Sequence, residues 1–285
     1  MLDLEELRRR RQHARLSDDP AEVAATVQSL INSGKISSTG IEQWDLYEQG
    51  MVAALIVADD SLALECLTRL SDKFPESARV HALKGMHLEA TKDADAALAF
   101  YNKVLAVEPT NVPVIKRRIT LFKSTGKVGD AIQALCTYVD VFYTDADAWA
   151  ELAELYASVN AHERANFCYG EAVLLAPHES MTHLLYADSF YTLAIQHPGS
   201  NHMEHALREY LRAIELRDNS LRAFCGVKVC CSALMGDLKE TTAVELKKLD
   251  LLATKQLAQL TSKGLAGAQE VEFAKSLLGQ AQLVK

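Results

Sequence analysis

Alanines that recur at a constant interval constrain this chain more than any other feature. The interval is 34 residues, and the alanines are Ala63, Ala97, Ala131 and Ala165. A bulky residue follows each alanine four positions later, as Leu67, Tyr101, Leu135 and Tyr169. Prolines repeat the interval as Pro75 and Pro109, with Pro177 two intervals further on. A chain with such a period is expected to fold as stacked copies of one small unit.

Each 34-residue unit is predicted to contain two helices. In the unit 146–179, apolar residues recur at helical spacing, first at Trp149, Leu152, Ala153 and Tyr156 and then at Ala165, Tyr169 and Ala172. The polar stretch "SVNAHE" separates the two runs, and Pro177 ends the second helix. The small alanines allow close approach of two helices, and the aromatic rings fill the space between neighbouring units. One unit cannot bury these faces alone, so the units must stack.

The composition agrees with a helical protein. Only 13 Gly and 6 Pro occur among 285 residues, which is few for a sandwich or barrel with many turns. The net charge of −8 argues against nucleic acid as a partner. The longest apolar run, "MVAALIVA", is far shorter than the ~20 residues of a membrane span, so we expect no transmembrane segment. The N-terminus has no apolar signal-peptide region, and the cysteines are expected to be reduced.

The unit 146–179 resembles the tetratricopeptide repeat at all eight signature positions, and the preceding units match it more loosely but in phase. The predicted fold is therefore an all-α tetratricopeptide-repeat solenoid, a right-handed superhelix with helical caps at both ends. We predict N-terminal capping helices over 1–43, with Asp19 as an N-cap, Pro20 at the first helical position and Gly34 just past the helix. Five repeats follow over 44–220, the fifth with a short insertion near 195–205. A half-repeat and capping helices complete the chain over 221–285.

Motifs of catalysis or cofactor binding are lacking. The sequence contains no Walker loop, no G-x-S-x-G and no H-E-x-x-H. His202 and His205 could share a helix face, but no further ligands complete a metal set. We expect no enzyme activity, no cofactor and no metal. Cys66 and Cys168 are expected to be small buried residues. Cys230 and Cys231 are adjacent and point to different sides of a helix, so one of them can be exposed.

The first helices of successive units are expected to line a concave groove. Residues at unit positions 2, 5, 9 and 12 should face into it, so one end is apolar, the middle basic and the far end acidic. The groove could be an ordinary solvated surface, but open solenoids serve mainly as binding surfaces, which favours a partner peptide of mixed polarity. The candidate partner-binding residues are Val52, Leu55, Met86, Glu89, Lys116, Lys123, Glu154 and Asp188.

Some tetratricopeptide proteins bind the carboxylate tails of chaperones through lysines, an arginine and two asparagines at fixed repeat positions. Here those positions hold Val52, Leu83, Met86, Thr120, Glu151 and Glu154. Lys116 alone does not form such a clamp. A soluble co-chaperone or adaptor that binds a peptide in its groove is therefore the alternative function.

Beyond the repeat, residues Trp44 to Met235 resemble the family of subunit 2 of the endoplasmic reticulum membrane protein complex. Segments such as "YEQ", "FP" and "EPTN" support this resemblance because they are not repeat consensus. It implies a non-catalytic cytosolic scaffold on the cytoplasmic face of the endoplasmic reticulum membrane. Such a scaffold docks membrane-embedded and soluble subunits of an insertase for tail-anchored and weakly hydrophobic transmembrane segments.

Overall fold

The computed structural model of the chain describes residues 19–235, 240–263 and 268–283. Within these ranges the long elements are α-helices, with one short 3-10 helix at Lys35–Thr39 and no strand. The helices are α1 Pro20–Asn32, α2 Glu42–Ile56, α3 Asp60–Lys73, α4 Ala78–Thr91, α5 Ala94–Val107, α6 Val112–Ser124, α7 Val128–Val141, α8 Ala146–Ser158, α9 His162–Leu175, α10 Ser180–Gln196, α11 His202–Leu216, α12 Leu221–Leu234, α13 Glu240–Lys263 and α14 Ala268–Leu283.

Short polar side chains begin many of these helices. The carboxylate of Asp19 accepts a hydrogen bond from the Ala21 amide at 3.0 Å, and Pro20 occupies the first turn of α1, as predicted. Gly34 follows that helix with a positive φ of 67°, also as predicted. Asp59, Asp93, Asn111, Asp145 and Ser220 accept equivalent bonds at the starts of α3, α5, α6, α8 and α12.

The chain divides into two compact units, Met1–Ala134 and Leu135–Lys285, with the boundary inside α7. In the first unit, α2 packs on α3 and α4 packs on both α5 and α6. In the second unit, α8 packs on α9, α10 on α11, and α12 on α11 and α13. The predicted repeats thus correspond to successive helix pairs, while the predicted division into caps and repeats at 43 and 220 stays a prediction.

The periodic residues are buried in the cores. Ala63, Ala97, Ala131 and Ala165 are each no more than 1% exposed. The bulky residues four positions later are buried as well, with Tyr101 fully so. These residues lie where second helices meet their neighbours, which is the packing role that their spacing predicts. The residues of the first unit's core include Val27, Tyr47, Met51, Leu62 and Val80.

The cysteine predictions have a mixed outcome. Cys66 and Cys168 are buried, as predicted. Cys230 and Cys231 are both fully buried, so the prediction that one of them can be exposed is wrong. The physical reason is that α12 is covered by α11, α13 and α14, which together enclose opposite faces of the helix.

The fifth helix pair accommodates its seven extra residues partly by lengthening a helix. Helix α10 has 17 residues, whereas α8 has 13, and the remaining extra length lies mostly in the connection to α11. The arginine-rich start of the predicted N-terminal cap lies outside the described residues. Within the described ranges, no helix has both the length and the apolar character needed to cross a bilayer.

Candidate partner-binding surface

All eight predicted groove residues lie on first helices of their repeats. Six belong to the first unit, on α2, α4 and α6, and Glu154 and Asp188 belong to the second unit, on α8 and α10. Of the six, Val52, Leu55 and Met86 pack against the same core of the first unit. The environments of the eight residues fall into three kinds: partly buried apolar residues, carboxylates held by neighbouring helices, and exposed charges.

The apolar end of the predicted groove contributes to the core. Val52, Leu55 and Met86 are half-buried and pack against the buried residues of the first unit. Only part of each side chain therefore faces solvent. This end is a shallow apolar surface over a packed core.

Glu89 is held by two neighbouring helices. The Tyr101 hydroxyl of α5 donates a hydrogen bond to its Oε1 atom at 2.5 Å, and the Arg117 guanidinium of α6 donates to both carboxylate oxygens. The Glu89 side chain is only 18% exposed. Burial raises the pKa of Tyr101, and its hydrogen bond to Glu89 raises it further, so the hydroxyl remains protonated. The ring of Tyr101 also lies directly against Gly85 of α4.

Asp188 of the second unit has the same kind of environment. The Tyr210 hydroxyl of α11 donates to its Oδ1 atom at 2.5 Å, and Nη2 of Arg222 on α12 lies 2.5 Å from its Oδ2 atom. Burial raises the pKa of Asp188, while Tyr210 and Arg222 act in the opposite direction. Tyr210 lies against Gly226 of α12.

The two clusters share a design. In each, a carboxylate on a first helix accepts from a tyrosine on the following second helix and pairs with an arginine on the next first helix. A further pair, Glu48 with Arg79 at 2.6 Å, links α2 to α4. These contacts tie neighbouring helices together and neutralise carboxylates that the sequence pattern assigned to a partner. Glu89 and Asp188, each within its own unit, therefore present less negative charge to solvent than the sequence predicted.

Sequence reasoning missed the tyrosine and arginine partners. The sequence predicts only that repeat aromatics such as Tyr101 fill space between units, and Arg117 and Arg222 do not occupy the positions predicted to face the groove. The available signal was that each arginine follows its carboxylate by about one repeat: Arg117 comes 28 residues after Glu89, and Arg222 comes 34 residues after Asp188.

Three of the predicted residues are exposed charges. Lys116 and Lys123 are seven residues apart on α6, and Glu154 lies on α8 of the second unit. Seven residues are nearly two helical turns, so both lysines project from one face of α6. Lys116 and Lys123 therefore form an exposed lysine pair on α6.

Comparison with known proteins identifies the family. The EMC2 TPR-like repeat domain matches residues 61–205. The TPR repeat protein oca3 of Schizosaccharomyces pombe is 36% identical over 92% of this chain and 96% of that protein. The chain belongs to the EMC2 family. The family resemblance found in the sequence is thereby confirmed.

Other EMC2-family proteins match over a shorter range. ER membrane protein complex subunit 2-B of Xenopus laevis is 36% identical, over 70% of this chain and 66% of that protein. ER membrane protein complex subunit 2 of Dictyostelium discoideum is 30% identical, over 61% of this chain and 53% of that protein. The match thus covers about two thirds of the Xenopus laevis protein and about half of the Dictyostelium discoideum protein.

Solved structures agree on the fold. The C-terminal part of a TPR repeat-containing protein from Cytophaga hutchinsonii matches with a TM-score of 0.58 at 14% identity, over 88% of this chain and 94% of that one. The pilF protein of Pseudomonas aeruginosa matches with a TM-score of 0.54 at 17% identity, over 85% and 97%. The all-α tetratricopeptide-repeat prediction is confirmed. As an EMC2-family repeat protein, the chain is a non-catalytic scaffold for protein interactions.

Proposed function

We propose that this chain is a scaffold subunit of the endoplasmic reticulum membrane protein complex. It acts on the cytoplasmic face of the membrane, where it docks cytosolic segments of membrane-embedded subunits and a soluble subunit. Through this docking it supports insertion of tail-anchored and weakly hydrophobic transmembrane segments. Family membership supports the complex, and the repeat architecture supports the scaffold role.

The observation that carries the docking proposal is the exposed lysine pair on α6. Lys116 and Lys123 are exposed and share one face of α6, and Arg117 on the same helix pairs with Glu89 of α4. Two exposed lysines on one helix face suit a partner segment that carries Asp or Glu. Such complementarity determines the register of the partner more than it adds affinity.

The test reverses both charges. The Lys116→Glu/Lys123→Glu protein should recover less of the membrane subunits in detergent co-purification. Its melting temperature should be nearly unchanged, because substitutions at exposed positions usually alter stability by less than ~0.5 kcal/mol. A matched control is Lys92→Glu/Lys103→Glu, which makes the same change in net charge at exposed residues of the first unit outside the predicted groove.

Two results would contradict the proposal. Equal recovery of membrane subunits by both double variants would show that the α6 lysines do not contribute to docking. Recovery of only a soluble chaperone with the unaltered protein would instead favour the co-chaperone alternative.

A further inference from the structure

The second unit contains a cavity that the predicted groove does not include. Its volume is about 350 Å³, within the ~300–1,000 Å³ range of ligand pockets. Its walls come from α7, α8 and α9, and Leu152 and Tyr156 contribute the wall on α8. Glu154 lies two residues from each of them, which places it about 160° away around the helix. The cavity and the groove residue therefore occupy opposite faces of α8.

An exposed aromatic residue forms one wall of this cavity. Phe167 on α9 is 61% exposed and packs edge-on against Trp149 of α8, with ring centroids 6.3 Å apart and planes at 77°. It stands two residues after the buried alanine of its repeat. The same position in the other repeats holds polar or small residues, namely Glu65, Ala99, Gln133 and Arg208. This repeat thus departs from the others by exposing a large apolar side chain beside a cavity.

Most of the side chains that line the cavity are uncharged. Burial raises the pKa of the Cys168 thiol to about 12, so it is neutral at physiological pH. The Cys136 sulfur lies 3.3 Å from the Tyr156 hydroxyl, so these two polar groups satisfy each other. The Trp149 indole N–H donates to the Tyr143 carbonyl at 2.9 Å. The side chains that surround the space can therefore accept an apolar group without leaving these polar atoms unsatisfied.

The cavity mouth carries more negative than positive charge. Asp140 on α7 and Glu163 on α9 are exposed and stand on different walls. Arg164 lies over the Tyr156 ring at 5.7 Å, so its guanidinium packs along a wall as a cation–π contact. His197 approaches Glu163 only at 3.8 Å and is itself exposed. A partner that brings a cation beside its apolar group would find carboxylates at the mouth.

We propose that this cavity docks a partner segment that inserts one large apolar side chain and places a Lys or Arg against Asp140 and Glu163. Aromatic side chains that fill desolvated pockets contribute much of the energy of protein interfaces. The adjacent cation supplies selectivity by matching the charge of the mouth. This docking site is independent of the lysine pair on α6.

The test uses three fluorescein-labelled heptapeptides with identical Gly/Ser ends and different central residues. The centres are Lys-Trp-Lys, Glu-Trp-Glu and Lys-Ala-Lys, and binding to the full chain is measured by fluorescence anisotropy. We expect the Lys-Trp-Lys peptide to bind at least about tenfold more tightly than either of the others. The first comparison isolates the charge, and the second isolates the apolar side chain.

Matched variants locate the binding. Phe167→Ala should weaken binding of the Lys-Trp-Lys peptide at least about tenfold. Leu174→Ala should not, because Leu174 is 75% exposed on the same helix but does not line the cavity. Both positions are exposed, and circular dichroism checks that both variants fold. The Lys116→Glu/Lys123→Glu protein should bind the peptide as the unaltered protein does.

A second readout uses the protein's own thiols. Cys136 in the cavity is half-buried, whereas the other five cysteines are buried, so N-ethylmaleimide should alkylate Cys136 first. The Lys-Trp-Lys peptide should slow this alkylation. Equal binding of all three peptides, no binding at millimolar peptide, or unchanged binding by Phe167→Ala would each overturn the proposal. Binding of Lys-Ala-Lys as tight as or tighter than that of Lys-Trp-Lys would show that only the acidic surface attracts the peptide. That result would overturn the proposal as well.

Discussion

Lys228 offers a sharp test of how the C-terminal helices are held. It lies on α12 and is only 6% exposed. Its ammonium group donates to Asp250 Oδ1 at 2.8 Å and to Thr254 Oγ1 at 2.9 Å, both on α13. Thr254 also donates to the backbone carbonyl of Asp250 at 2.7 Å, which positions its oxygen toward the lysine. One buried cation is thus satisfied by two side chains of a single neighbouring helix.

The Asp250→Ala substitution should cost about 3 kcal/mol of unfolding free energy. Removing one partner of a buried ion pair costs ~3–5 kcal/mol, because the other charge stays buried without compensation. The lower end applies here because the Asp250 side chain is 26% exposed, so water can reach its place. The Lys228→Met/Asp250→Ala double variant should recover most of that loss, since an apolar residue of similar length needs no partner.

Urea denaturation followed by circular dichroism measures both variants, and amide hydrogen exchange in α13 shows whether that helix opens locally. The reasoning would be refuted if Asp250→Ala cost less than ~1 kcal/mol, or if the double variant were as unstable as the single one. The first result would mean that water solvates the Lys228 ammonium once Asp250 is removed. The second would mean that the Asp250 side chain stabilises the packing of α12 on α13 by itself.

Two further features of the backbone predict changes in the free energy of unfolding, which urea denaturation measures. Gly85→Ala should cost about 1–3 kcal/mol, because its Cβ would lie 1.9 Å from a ring carbon of the fully buried Tyr101. Gly279→Ala, the control on α14, has nothing within 4 Å and should gain about 0.5–1 kcal/mol; equal effects at both sites would contradict the packing argument. Ala58 follows the end of α2 and Gly126 follows the end of α6, with positive φ values of 59° and 73°. Ala58→Gly should stabilise and Gly126→Ala destabilise by roughly 1 kcal/mol each, and changes of the same sign would contradict a conformational origin.

The contacts of Glu89 and Asp188 change the charge that a partner would meet in each unit. Glu89 and Asp188 contribute to helix packing through Arg117 and Arg222, so their removal should disturb the fold as well as any docking. The lysine pair on α6 is the better place to separate docking from folding. For this reason the charge-reversal experiment leaves the carboxylates intact.

The helices and their cores could be predicted from the sequence because their causes are local and repeated. Apolar spacing within one helix determines which face is buried, as the burial of Leu152 and Ala153 on α8 shows. An N-cap such as Asp19 needs only the two or three residues that follow it. The 34-residue period then makes the same packing recur in each unit, so the buried alanines were identified without coordinates.

Only the tertiary structure decided which polar side chains meet. Arg117, which pairs with Glu89, and Asp250, which pairs with Lys228, each lie more than twenty residues from their partner in sequence, on other helices. The rotation and crossing of those helices bring them within hydrogen-bonding distance, and a periodic pattern does not specify either quantity. A periodic pattern also does not specify the cavity beside Phe167. The cavity depends on the space that α7, α8 and α9 leave between them. Periodicity determines which face of a helix is buried, whereas the contacts of individual charges depend on packing between distant helices.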